Sequence, residues 1–306
     1  MKSQLIFNPV AGSDPALPSI EIIKDHLRSA FGEINVFLTE KAGDARKFAA
    51  NAVSDGCSHI FIGGGDGTLN EVLNGVAATK NGLEQITFGL IPLGTGNDFA
   101  NAALSLSETI KDTLNILTQN KTILVDVGKL TNEPNVQYFI NVSAGGFIAE
   151  VSDVVNPELK SIAGKLAYVI GGAQVLLDFA PVRTLMKLRY ASGELIKREF
   201  EIEMFAVCNS KMLGGGRMIA PDAKIDDGLF DICVFTATAT TLEFINVLTQ
   251  IAAGAHLGEE TVKYYCAPAV EFEFEREIKV NADGEVLTVK KVTYEILPSA
   301  ARFLAG

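Results

Sequence analysis

A short apolar run that leads into a cluster of glycines constrains the fold of this chain most. Ile60, Phe61 and Ile62 are typical of a buried strand, and residues 63–68 read GGGDGT. Glycines permit backbone conformations and close approaches that side chains would block, so main-chain N–H groups can converge on an anion where the next helix begins. The stretch predicts a phosphate-binding turn between a strand and a helix. A tight turn without a ligand is the alternative.

This glycine turn differs from the two common nucleotide-binding fingerprints. Thr68 stands where the dinucleotide fingerprint has a glycine or alanine, and the chain contains no GxxxxGK[ST] sequence. Asp66 would repel a phosphate unless a cation lay between them. We therefore expect a divalent metal ion near Asp66.

Two further apolar runs end in turns of similar composition. Residues 86–91 lead into PLGTGND at 92–98, and residues 4–7 lead into NPVAGS at 8–13. In an open parallel sheet, ligands bind outside the carboxyl ends of the strands. Three such turns therefore predict a single site at one edge of a sheet.

The pattern of the chain changes near residue 122. Before it, apolar runs alternate with helical stretches, which indicates βαβ units and a parallel sheet. The runs are 4–7, 34–38, 59–62 and 86–91, and the helical stretches are 19–30, 43–54, 69–78 and 107–119. After it, strands dominate, at 123–130, 137–143, 184–190, 196–208, 229–235 and 269–280, with helices expected at 160–178 and 240–255. We expect one α/β domain at 1–122 and a strand-rich domain at 123–292.

Composition narrows the class of protein. The net charge of −11 argues against nucleic acid as the main partner and makes any membrane contact local. The four cysteines lack metal-ligand spacing, so we expect reduced core residues rather than disulfides or zinc. No secretory leader or long apolar span is evident, which predicts a cytoplasmic protein.

Several motifs, in order, resemble the catalytic domain of the diacylglycerol kinase and sphingosine kinase family, particularly its soluble bacterial lipid kinases. They are NPVAG (8–12), GGDGTLNE (64–71), PLGTGNDFA (92–100), VDVG (125–128), INVSAGGF (140–147), GGGRMIAPDAKIDDGLFD (214–231), GAHLGEETVKYY (254–265) and NADGE (281–285). The resemblance implies an N-terminal α/β domain like that of NAD kinase and phosphofructokinase. It also implies a C-terminal all-β sandwich, with residues 293–306 returning to the first domain.

The same resemblance implies an activity and a set of site residues. The activity is the Mg²⁺-dependent transfer of the γ-phosphate of ATP to a hydroxyl of a diacylglycerol-like lipid. Such an enzyme would contact a membrane surface transiently, and a homodimer is compatible with this activity. Asp283 would be the general base and Glu285 a supporting group. Mg²⁺ would be held by the Asp227 carboxylate and the carbonyls of Lys224 and Leu229, with Asp66 and Asp126 linked through water. The nucleotide shell would comprise Asn8, Pro9, Val10, Ala11, Gly12, Thr39, Gly64, Gly65, Asp66, Gly67, Thr68, Leu69, Asn70, Glu71 and Thr95.

Without the resemblance, purely structural roles remain open for several of these residues. Asp227 fits an ordinary Asp-Gly turn, Asp126 a capping or pairing role at a strand start, and Thr39 a helix cap. The alternating glutamates at 271–277 fit a solvated strand face better than a metal site. The apolar segment 165–179 fits a core helix, or one that lines an acyl-chain cleft or rests on a bilayer.

Two other functions remain alternatives. An NAD kinase-like small-molecule kinase shares the GGDGT loop, but PLGTGNDFA replaces that family's usual second loop. A non-catalytic nucleotide-binding regulatory module is the other alternative, and the presence of Asp66, Asp227 and Asp283 argues against it.

Overall fold

A computed structural model describes residues 2–12, 20–107, 109–154, 179–214 and 216–306. The helix expected at 160–178 lies outside the described residues, as does all of the apolar segment 165–179 except Phe179.

Four parallel strands form the sheet of the first half, in the order β2-β1-β3-β4. The strands are β1 (Ser3–Phe7), β2 (Ile34–Leu38), β3 (His59–Gly64) and β4 (Thr87–Pro92). The helices are α1 (Ile20–Phe31), α2 (Asp44–Ser54), α3 (Asp66–Ala77), α4 (Gly82–Gln85), α5 (Asp98–Ala103) and α6 (Ile110–Leu117). The predicted alternation of strands and helices is confirmed. The short helices α4 and α5 were not predicted, because neither is long enough to show helical periodicity.

The second half is built mainly of antiparallel strands, as expected. Its strands are β5 (Thr122–Asn132), β6 (Asn135–Phe139), β7 (Val142–Gly146), β8 (Val182–Arg189), β9 (Leu195–Cys208), β10 (Met212–Leu213), β11 (Arg217–Met218), β12 (Phe230–Thr236), β13 (Val262–Ala267), β14 (Ala269–Ala282) and β15 (Glu285–Leu304). Two helices, α7 (Phe147–Val154) and α8 (Thr241–Ala253), accompany them. The helix predicted at 240–255 is α8.

Strand β15 joins the two halves. Its first part pairs with β14, it runs antiparallel to β5, and its end pairs in parallel with β4 through Arg302 and Phe303. Thirteen of the described strands therefore form one continuous sheet. Phe303 is fully buried and packs its ring against Phe88 and Phe99, with centroids 5.0 and 5.1 Å away.

The exposed glutamates of β14 form a solvated, ion-paired face, as expected. Val270, Phe272 and Phe274 alternate with them and are buried. Lys187 Nζ lies 2.6 Å from Glu271 and 3.5 Å from Glu273. Surface ion pairs of this kind contribute little stability, so these carboxylates serve solubility and strand register.

The cysteines are free, but not all are core residues. Cys57, Cys208 and Cys233 are buried, whereas Cys266 is exposed. The expectation that all four lie in the core is wrong for Cys266, because its side chain lies on the solvent side of β13.

We expect Phe303→Ala to destabilise the whole protein by about 3–5 kcal/mol, because it opens a cavity beside the rings of Phe88 and Phe99. The free energy of unfolding from urea titration measures the effect. Leu124→Ala is the matched control, since Leu124 pairs with Arg302 in the same ladder and is 46% exposed. The control should change the stability by about 0.5 kcal/mol or less. Equal losses in the two variants would contradict a core role for the end of β15.

Candidate active site

Three loops meet at the carboxyl ends of β1, β3 and β4. The Asn8 N–H donates to the Gly63 carbonyl over 2.8 Å, and the Leu93 N–H donates to the Gly64 carbonyl over 2.9 Å. Gly65 approaches the next loop so closely that a Cβ on it would lie 3.0 Å from the Gly94 Cα. The structure thus brings together the three glycine-containing turns found in the sequence.

Asp66 is the first residue of α3 and faces the start of α5. Its carboxylate accepts the N–H of Asp98 over 3.2 Å and the N–H of Phe99 over 3.5 Å. Burial raises the pKa of Asp66, and the charge of Asp98 adds to the rise. Asp66 therefore ties two loops of the first half together while its charge is poorly solvated.

Asp98 extends this network to the second half. It is buried, and its Oδ1 accepts the N–H of Gly216 over 2.9 Å. The motif PLGTGND at 92–98 by itself gives Asp98 no role. Its partner lies 118 residues along the chain, and no local pattern reveals such a contact.

Asp283 occupies the turn between β14 and β15. Asp283 and Gly284 have φ of 47° and 101°, as a two-residue Asp-Gly hairpin turn requires. The carboxylate accepts backbone N–H groups of Ile140 at 2.6 Å, Asn141 at 3.2 Å and Val142 at 3.0 Å. The hairpin tip is thereby fixed against the segment that enters β7.

The pKa of the Asp283 carboxyl reflects two opposing effects. Burial raises the pKa to about 6, the three N–H donors oppose that rise, and the negative charge of Asp66 adds to it. Asp283 and Asp66 are therefore electrostatic neighbours although they come from different halves. A carboxyl with a pKa near neutrality has the property of a general base.

Glu285 is exposed at the first position of β15 and pairs in the ladder with Ala282. Among the described residues, no hydrogen bond or ion pair links its side chain to Asp283 or Asp66.

Three residues of the implied nucleotide shell have side chains engaged in the fold. The Glu71 carboxylate accepts the N–H groups of Gly43 and Ala45, at 2.9 and 3.1 Å, and so caps α2. The Asn70 side chain donates to the Tyr138 carbonyl over 3.3 Å, and Leu69 is buried in the core. The side chains of these residues therefore take part in the fold.

The remaining shell residues lie in the three loops or beside them. Asn8 Nδ2 donates to Thr68 Oγ1 over 3.4 Å, which links the first loop to α3. Thr39 lies beside β1, where its N–H donates to the Phe7 carbonyl, and the N-cap of α2 is Gly43. Thr39 is therefore not the helix cap that the sequence left open. Pro9, Val10, Gly12, Gly67 and Thr95 are exposed, Gly64 and Ala11 are buried, and Gly65 is partly buried.

Asp126 anchors the implied metal-binding loop. Its fully buried carboxylate accepts the N–H of Gly228 over 2.7 Å and the N–H of Ser299 over 2.6 Å. Burial raises its pKa, and Asp227 and Asp226 raise it further. Removing this carboxylate would leave two backbone donors without their acceptor, so Asp126 has a structural role whatever binds beside it.

The loop at 224–229 offers the kind of atoms that a hard cation prefers. Asp227 is exposed, and its Oδ1 accepts the Leu229 N–H over 3.0 Å. A carboxylate with neighbouring carbonyls suits Mg²⁺. Within the described residues, however, no group of three or more acidic, histidine or cysteine side chains is arranged to hold a metal ion.

A cavity of about 220 Å³ lies between α5 and this loop. It is lined by Ala102, Ala103, Ser210, Lys211, Ala223, Lys224, Ile225 and Asp226. The two halves thus leave a cleft between them that is bordered by the loop of Asp227.

Comparisons with known proteins agree with this geometry. Residues 2–130 match the family described as diacylglycerol kinase catalytic domain, and residues 141–305 match the YegS C-terminal NAD kinase beta sandwich-like domain. Diacylglycerol kinases of Staphylococcus saprophyticus and Bacillus subtilis are each 32% identical to this chain over 284 residues. The match covers 93% of this chain and 88% and 89% of those proteins.

The chain belongs to the diacylglycerol kinase family. A solved structure of a diacylglycerol kinase from Bacillus anthracis strain Sterne has a TM-score of 0.70 at 24% identity, which supports the fold. A second structure from that strain reaches a TM-score of 0.80 at 27% identity. Each alignment covers 100% of this chain and 97% of the other. The predicted fold class, an α/β domain followed by a β-sandwich, is confirmed.

We expect Gly12→Ala to lower the free energy of unfolding by about 1 kcal/mol or more. Gly12 has a φ of +76°, and a Cβ there would lie 2.2 Å from the Leu93 carbonyl oxygen. The loops that follow β1 and β4 would therefore have to move apart. Gly67→Ala is the matched control, because a Cβ at this helical position has open space around it. The control should be neutral or stabilising by up to about 1 kcal/mol. Thermal unfolding of both variants checks the prediction, and the reverse order would contradict the packing of the loops.

Proposed function

We propose that this protein is an ATP-dependent lipid kinase that phosphorylates a hydroxyl of a diacylglycerol-like lipid. Membership of the diacylglycerol kinase family supports a lipid kinase. One observation carries the finer proposal: burial raises the pKa of Asp283 to about 6, and the charge of Asp66, at the start of the glycine-flanked helix α3, adds to that rise.

The first half supplies the phosphate side of the reaction. The loops at 8–12, 63–67 and 92–96 present backbone rather than long side chains, and the positive end of α3 adds to their attraction for an anion. ATP would lie along these loops with its terminal phosphate toward Asp283. Positioning and N–H donors can provide most of the catalysis in phosphoryl transfer, which is consistent with the few cations in the motifs.

The second half supplies the acceptor side. Asp283 would take the proton of the lipid hydroxyl while the hydroxyl oxygen forms a bond to the γ-phosphorus. The bond from that phosphorus to the bridging oxygen of ADP breaks, and ADP carries away its electron pair. The N–H groups of residues 140–142 hold the carboxyl in place throughout.

A divalent cation would neutralise the charge of the phosphates during transfer. Asp227 and the carbonyls of Lys224 and Leu229 would hold it, with Asp66 and Asp126 acting through water. The donor atoms at 224–229 fit such an ion. Because Asp126 already accepts two N–H groups, it would position the loop as well as any water.

Asp283→Asn should reduce the turnover number by about a hundred-fold to ten-thousand-fold, because an amide cannot accept the hydroxyl proton. Glu277→Gln is the control, since it removes an exposed carboxylate on β14, the strand that leads into the Asp283 turn. In the wild type, activity should fall as pH decreases through about 6, where Asp283 becomes protonated, and remain level above it. A turnover number unchanged by Asp283→Asn would show that Asp283 is not the base.

The substrate class is tested with the purified protein, γ-labelled ATP and Mg²⁺. Separate reactions contain diacylglycerol, a total lipid extract, or NAD as the acceptor. We expect label in diacylglycerol or in another lipid of the extract. Label in NAD alone would replace the proposal by an NAD kinase-like activity. Binding of ATP with no labelled acceptor in any reaction would favour a regulatory module.

A further inference from the structure

Asn209 is a buried residue whose amide lies between two parts of the candidate site. It directly follows β9, and its side chain is fully buried. Its Nδ2 donates to the Ile140 carbonyl over 2.8 Å and to the Asp126 carbonyl over 2.9 Å. These acceptors lie 69 and 83 residues earlier in the chain. One side chain therefore joins two backbone segments that are distant in sequence.

The first of these segments carries the N–H groups that bind Asp283. The Ile140 carbonyl and the Asn141 N–H belong to one planar peptide unit, with Asn209 Nδ2 at its oxygen and Asp283 at its N–H. The next peptide unit is held in the same way. Its oxygen, that of Asn141, accepts the Asn209 N–H over 2.8 Å, and its N–H, that of Val142, donates to Asp283 over 3.0 Å. Asn209 thus fixes the direction of two donors to the Asp283 carboxylate.

The second segment holds the loop at 224–229. Asp126 accepts the Gly228 N–H with its carboxylate, and its own N–H donates to the Ile225 carbonyl over 2.7 Å. Its carbonyl is the second acceptor of Asn209 Nδ2. Displacement of this amide would therefore affect the Asp283 donors and the anchor of the loop together.

The orientation of the Asn209 amide leaves its oxygen unpaired. In the described part of the chain, Oδ1 is buried and has no hydrogen-bond partner. Exchanging Oδ1 and Nδ2 would place an oxygen against two carbonyl oxygens, so the amide cannot turn over. Asn74 differs, because its Nδ2 donates to the Tyr138 carbonyl and its Oδ1 accepts the Tyr138 N–H. A buried acceptor without a partner is destabilising, so the contribution of Asn209 lies in the two carbonyls that Nδ2 binds.

We propose that Asn209 is a positioning residue of the phosphoryl-transfer site, which orients Asp283 through two peptide units and ties it to the loop at 224–229. The proposal rests on the proposed lipid kinase function, in which Asp283 is the base. The N–H donors oppose the rise of the Asp283 pKa, so their misalignment should raise that pKa above about 6. Asp66 also raises it, β7 and residues 140–141 carry no charged side chain, and Glu285 in β15 is exposed.

The first test compares Asn209→Leu with Asn74→Leu. Both variants replace a buried asparagine by a leucine of similar shape, but Asn74 binds neither Asp126 nor residues 140–142. We expect the acid limb of the turnover number of Asn209→Leu with diacylglycerol to move up by about one pH unit. Relative to the wild type, the turnover number should then be about fivefold lower at pH 6 than at pH 8.5. For Asn74→Leu, the ratio to the wild type should not depend on pH.

A second measurement is independent of turnover. The pKa of Asp283 is followed by the carboxyl ¹³C signal in protein labelled at aspartate, and Asp283→Asn assigns the signal. The pKa should rise by about one pH unit in Asn209→Leu and keep its wild-type value in Asn74→Leu. Ser210→Ala removes the 2.6 Å bond from Ser210 Oγ to Asn141 Oδ1 and should raise the pKa by less. If Asn209→Leu does not fold, Ser210→Ala takes its place in both measurements.

The outcomes separate this proposal from the proposed function. An unchanged Asp283 pKa and an unchanged acid limb in the folded variant overturn the positioning role. So do losses of activity that are equal and independent of pH in Asn209→Leu and Asn74→Leu, since these would report lost stability alone. A raised Asp283 pKa in Asn209→Leu, with no lipid phosphorylated by the wild type, supports the orientation of Asp283 by Asn209 and refutes the kinase proposal.

Discussion

One strand belongs to both halves of the molecule, and the candidate site depends on it. The first end of β15 forms a hairpin with β14, and its last residues pair with β4. Asp283 lies in the hairpin turn, and Phe303 lies in the core beneath the parallel sheet. The Asp283 turn and the three glycine-containing loops are thus connected through a continuous hydrogen-bonded sheet.

The site contains carboxylates whose charged form is disfavoured by burial. Burial raises the pKa of three carboxyls, those of Asp66, Asp126 and Asp283. In each case backbone N–H donors oppose that rise. The N–H groups keep the carboxylates in fixed orientations, while burial and mutual repulsion make them receptive to a proton or a cation. These three carboxylates lie near the place where the two halves meet.

The alternation of apolar runs with helices, and glycine turns after strand ends, predicted the α/β half, whereas the β-sandwich was implied by the resemblance to the family. The sequence was insufficient for contacts between distant residues. The N–H donors to Asp283 lie more than 140 residues earlier in the chain, and the acceptor for the Gly216 N–H lies in the other half. A sequence motif also does not distinguish residues that contact a ligand from residues that stabilise the surrounding fold. Glu71 shares its motif with Asp66, but its carboxylate caps α2.

Ser299 lies where β15 passes from one half to the other. The pairing of β15 with β5 shifts register between Leu297 and Ala301, and Ser299 has a φ of 50°. Asp126 binds the Ser299 N–H with one oxygen and the Gly228 N–H with the other. A rotation of the two halves about this joint would pull on the same carboxylate that holds the loop of Asp227. Any opening of the cleft at this joint would therefore also strain the hydrogen bond that holds that loop.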